Sequence, residues 1–64
     1  MIELTYISGC IRTFEIYNES NNHIIWKDSV DNLIRINKKT NHITMFHDGE
    51  WIDYDSQIMS YRVI

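Results

Sequence analysis

The sequence predicts an all-β fold, and three observations point to it. Alanine, the best helix former, is absent, and so is proline, which interrupts sheet ladders. Ile, Tyr, Trp, Phe, Thr and Val, the residues that suit a pleated and half-buried surface, are abundant. Short alternating runs are separated by turn-forming residues roughly every eight to twelve positions, the rhythm of a small barrel or sandwich. The expected architecture is an antiparallel barrel or sandwich of about five to six strands, of SH3-like or Sm-like size, with at most one helical turn.

Ile2, Leu4 and Tyr6 alternate with Glu3 and Thr5 and predict a first strand. Phe14 and Ile16, alternating with Thr13, Glu15 and Tyr17, predict a second. A two-residue turn at Gly9-Cys10 would set Leu4 against Glu15 and mix the faces. A three-residue loop over Ser8 to Cys10, or a bend in one long strand, is therefore expected. Asn18 to Asn22 reads as a polar loop. His23 to Lys27 reads as a strand with Ile24 and Trp26 on one face, and Asp28 to Asn32 as a loop or one helical turn capped by Ser29. Gln57 to Ile64 reads as a last strand with Met59, Tyr61 and Val63 on one side.

The segment from Leu33 to Tyr54 carries the strongest pattern, a three-stranded meander. Asp48-Gly49 between alternating segments is the signature of a two-residue type I′ hairpin. It sets His47 against Glu50, Phe46 against Trp51, Met45 against Ile52, Thr44 against Asp53, Ile43 against Tyr54 and His42 against Asp55. Independently, the turn from Asn37 to His42, with Asn41 tolerating a left-handed backbone, sets Ile36 against Ile43, Ile34 against Met45 and Leu33 against Phe46. Both registers place Ile34, Ile36, Ile43, Met45, Ile52 and Tyr54 on one face, the expected core. Leu33, Phe46 and Trp51 fall on the other.

Sixty-four residues amount to one domain, 1–64, and a chain this short buries only about 60% of the surface it exposes when unfolded. A single cysteine, Cys10, rules out an internal disulfide, and His23, His42 and His47 are too dispersed in sequence to predict a metal site. Self-association is then the expected source of added stability. The lone cysteine and the absence of a signal-peptide pattern predict a reducing, cytoplasmic setting, and no apolar run reaches the roughly 20 residues of a membrane span. Nine acidic residues against six basic ones give a net charge of −3, which disfavours nucleic acid. Heavy use of Ile and Asn fits an AT-rich coding sequence, as in many bacteria and in many phages or mobile elements.

The face bearing Leu33, Phe46 and Trp51 is the candidate binding surface, because an exposed apolar patch rimmed by polar groups marks an interaction site. An acidic rim of Asp48, Glu50, Asp53 and Asp55 borders it, and Arg35 lies within it. The partner-binding set is thus Leu33, Arg35, Phe46, Trp51, Asp53 and Asp55. His42 with Asp55 and His47 with Glu50 form acid–imidazole pairs on opposite faces, so they make no joint site. Lys38 and Lys39 read as a solvated turn, and Cys10 as a small core residue. No phosphate-cradling glycine loop, catalytic triad pattern or zinc-protease motif is present, so no catalytic residue, cofactor or metal is expected.

These features favour a protein-interaction module, a regulator or inhibitor of another protein, that binds a protein partner or its own copies. An alternative is an oligomeric barrel binding a small ligand such as a nucleotide, stacked on Trp51, Trp26 or Tyr54 beside Arg35. Single-stranded nucleic-acid binding on the aromatic face ranks last, since the required positive groove is missing.

Overall fold

The computed structural model describes residues 1–54 and 57–64. All of its regular structure is antiparallel β: β1 (Ile2–Tyr6), β2 (Ile11–Phe14), β3 (Ile16–Glu19), β4 (His23–Lys27), β5 (Leu33–Asn37), β6 (Ile43–His47), β7 (Glu50–Asp53) and β8 (Ile58–Val63). They form a three-stranded sheet, β2-β1-β8, and a five-stranded sheet, β3-β4-β5-β6-β7. Among the described residues no strand pairing joins the two sheets. The strand count exceeds the expected five or six partly because the run from Ile11 to Glu19 breaks at Glu15 and its halves join different sheets.

The meander has the register read from the sequence. Ile34 pairs with Met45 and Ile36 with Ile43, while Met45 pairs with Ile52 and Phe46 with Trp51. Asp48 and Gly49 both take positive φ, 49° and 82°, as a type I′ turn requires. Asn41 closes the preceding turn at φ 60°, and Asn37 Oδ1 accepts from the amides of Lys39 and Thr40. The pairing of His42 with Asp55 lies outside the described residues.

The core lies between the sheets. Ile2 and Leu4 of β1 pack against Ile24, Trp26, Ile34, Ile36 and Ile43 of β4 to β6, with Tyr6, Phe14, Ile16, Met45, Ile58 and Tyr61 at its margin. Three strands cannot cover the inner face of five. Ile52 and Tyr54, expected in the core, therefore overhang it and are each 37% exposed.

Several local expectations are corrected. Tyr6 N–H donates to the Cys10 carbonyl and Gly9 N–H to that of Tyr6, so the first loop is Ile7 to Gly9, one residue earlier than expected. Gly9 at φ 91° is the reason: the left-handed residue comes last in such a loop. Cys10 is then carried to the surface and is exposed, contrary to the core role expected for it. The β4–β5 connection is a turn organised by Asp28 rather than Ser29. Asp28 Oδ1 accepts from the amides of Val30 and Asn32, and Oδ2 accepts from Asn32 Nδ2. In β8 a register shift opposite Thr5/Tyr6 puts Ile58 against Tyr6 and Tyr61 against Leu4. Met59 is displaced from the Tyr61 side and is 64% exposed. Lys38 is not simply solvated, since its Nζ sits 2.8 Å from Glu19 Oε2. No described helix is long and apolar enough to cross a membrane.

Candidate interaction face and inter-sheet cleft

Alternation along β4 to β7 turns Ile25, Leu33, Arg35, Thr44, Phe46, Trp51 and Asp53 away from the core. The small sheet packs on the opposite side, through Ile2 and Leu4. No layer of the described chain covers this outer face, and Phe46 is 41% exposed. The N-terminal strands, an obvious covering for an aromatic patch, thus go to the other side.

The face is organised by its aromatic rings. Phe46 and Trp51 meet edge to face with centroids 5.3 Å apart, the geometry their quadrupoles favour. The Arg35 guanidinium lies 4.2 Å from the Trp51 ring centroid. Since Arg35 pairs with Thr44, and Trp51 sits one strand further, the arginine reaches across β6 to stack. Beneath this row the Thr44 hydroxyl is buried without a hydrogen-bond partner. At the far edge of the sheet, Lys27 Nζ lies 5.0 Å from the Tyr17 ring.

Of the six predicted partner-binding residues, Leu33, Arg35, Phe46, Trp51 and Asp53 share this face; Asp55 lies outside the described residues. The acidic rim is thinner than expected, because Glu50 pairs with His47 and alternates to the core side of the sheet. His42 Nε2 is 2.9 Å from Asp53 Oδ1, a diagonal partner, and His47 Nε2 is 3.3 Å from its chain neighbour Asp48 rather than bonded to Glu50. Among the described residues no cluster of three or more His, Cys, Asp or Glu side chains could hold a metal ion.

The aromatic residues considered for one ligand site divide between two places. Trp51 and Arg35 lie on the outer face, while Trp26 and Tyr54 lie on the inner one, so they cannot stack on the same molecule within one subunit. Trp26 and Tyr54 instead help to line a cleft of about 270 Å³ between the sheets, with Tyr6, Phe14 and Asp28. The sequence reading missed this cleft. Either placement of the first loop puts Tyr6 and Phe14 on one face of β1 and β2; what the sequence did not mark is the break at Glu15, which gives these strands a sheet of their own opposite β4 to β6.

The ionisation of Tyr6, which lines this cleft, is displaced. Burial raises its pKa above the ordinary phenol value. Arg12 opposes that rise, and Tyr54 and Asp28 add to it. Comparison of the chain with protein-family models, with curated proteins and with solved structures gives no match.

Proposed function

We propose that this domain is a non-catalytic protein-interaction module whose recognition surface is the outer face of the five-stranded sheet. The observation that carries this reading is the Arg35–Trp51–Phe46 row, assembled on a sheet face that nothing in the described chain covers. Trp and Arg are prominent among residues that dominate binding energy, and rings already held by their neighbours lose little freedom on binding. The Arg35 guanidinium lies over the Trp51 ring, and its N–H groups stay available to a carboxylate. Among the described residues no carboxylate lies within ion-pair distance of it. The partner supported best presents an apolar protrusion flanked by an acid, and the domain would regulate or inhibit it by occupancy. The crossing of the chain from one sheet to the other at Glu15, between β2 and β3, supports a half-open small barrel of SH3-like kind.

A photo-reactive phenylalanine at position 46, introduced in the cells that make the protein, tests this. The expected result is a covalent adduct with one other protein species, lost in Arg35→Glu and absent when the probe replaces Val30, which is 72% exposed on a turn. The same adducts from both positions, or adducts only with a second copy of the chain, would refute it.

A further inference from the structure

We propose that the cleft between the sheets is a receptor for a small organic cation, an alkylated ammonium head group held among aromatic rings beside a carboxylate. Tyr6, Phe14 and Tyr54, with the deeply buried Trp26 and with Asp28, line the cleft beside aliphatic side chains and Gln57, and among the described residues no lysine or arginine does. Such a lining selects by charge. The faces of aromatic rings are negative and attract cations, most strongly where water is excluded. A carboxylate adds a full negative charge to that field.

Asp28 is held in place before any ligand arrives. Val30 and Asn32 amides donate to Oδ1 and Asn32 Nδ2 donates to Oδ2, which fixes the carboxylate on its turn. Its two oxygens offer about four acceptor positions, so capacity remains for a charge contact. An anionic ligand such as a phosphate would meet no cationic donor in this wall. A neutral hydrocarbon would cover Asp28 without supplying a counter-charge. A primary ammonium is strongly hydrated and needs several directed acceptors, whereas an alkylated one is soft enough to lie against rings. The volume, about 270 Å³, falls just below the range of roughly 300–1,000 Å³ usual for ligand pockets, so it suits a head group rather than a large molecule. Tyr6 contributes a neutral ring, since a phenol is protonated near neutral pH and burial only raises its pKa further. Arg12, exposed on β2 and close enough to act on Tyr6, opposes the ligand there.

The cation could be free in solution or a methylated side chain of another protein, and the test separates these sources. The intact protein is titrated with choline, with N-acetyl-trimethyllysine methylamide, and with 3,3-dimethylbutanol, the neutral isostere of choline, while amide and indole N–H resonances are followed by NMR. Saturable shifts of the Trp26 indole and of the Val30 and Asn32 amides are expected with the cations, with binding at least about tenfold weaker for the isostere. The Trp51 indole, on the other face, should not move. Preference for the trimethyllysine amide indicates a protein side chain, and preference for choline a free metabolite; either supports the cation class. Tyr54→Leu at a partly exposed position, and Asp28→Asn, which keeps an acceptor for its turn, should each weaken binding by about tenfold with an otherwise unchanged spectrum. Equal binding of the neutral isostere, no saturable Trp26 shift up to about 50 mM ligand, or full affinity in both variants would overturn the proposal.

Discussion

Tyr6 shows how a single position couples the small sheet to the large one. It follows Leu4 on the inner face of β1, and burial there disfavours its charged form, which raises its pKa. The consequence for stability has a definite sign. A phenol whose folded pKa is raised favours the folded state fully while both states are protonated, below about pH 10. As pH rises further the unfolded chain ionises first, so stability is lost progressively through the folded-state pKa. Tyr6→Phe removes this linkage. Unfolding free energies measured in urea between about pH 9 and 11.5 should therefore fall less steeply in Tyr6→Phe than in the parent. If Tyr6→Phe and the parent have the same pH profile, desolvation of Tyr6 contributes nothing.

At the scale of elements, turn residues decide which strands pair and which side chains face the core. Gly49 at φ 82° is the second residue of the β6–β7 turn, and a Cβ there meets nothing within 4 Å. The strain of Gly49→Ala is therefore backbone strain alone, about 1 kcal/mol or more, because an L side chain disfavours that conformation. A fall in melting temperature of about 4–8 °C per kcal/mol is expected, whereas Asp48→Asn, which tolerates φ 49°, should stay close to the parent. An unchanged melting temperature for Gly49→Ala would mean that the turn relaxes to another type. The same local chemistry explains what could be read in advance. Asp48-Gly49 and Asn41 are specific turn signals, and two independent turns agreed on the face of Ile34, Ile36, Ile43 and Met45, so register and inner face were legible. Places where one residue breaks the period were not. The switch at Glu15 looks like continued alternation, and the β8 shift that turns Met59 outward has no marker in the sequence. The outer face was legible in composition because Phe46, Trp51 and Arg35 follow directly from the meander register. That it stays uncovered was not, since this depends on which side the small sheet packs. The cleft was hidden for the same reason, being built from strands that are far apart in the chain.

For the molecule as a whole, the central fact is that, among the described residues, each sheet has only the other to pack against. The buried core is Ile2 and Leu4 from one sheet and Ile24, Trp26, Ile34, Ile36 and Ile43 from the other. The five-stranded sheet contains the longest continuous ladder, yet its outer face remains open and its inner face is closed mainly by β1. Folding should then be a single cooperative event, in which neither sheet persists without its partner. Leu4 is the decisive position, 1% exposed at the centre of β1 and paired on both sides, with Arg12 and Tyr61. Leu4→Ala removes about 2–5 kcal/mol. A core of this size rarely supplies more than about 3–5 kcal/mol in total, so the variant should be largely unfolded at 25 °C. Amide hydrogen exchange makes the test specific: protection should be lost across β4, β5 and β6, which do not contain the substitution, together with β1. Retained protection in those strands would show that the five-stranded sheet is stable alone. The three-stranded sheet would then be a cover on an autonomous meander, and the cleft between them a joint free to open.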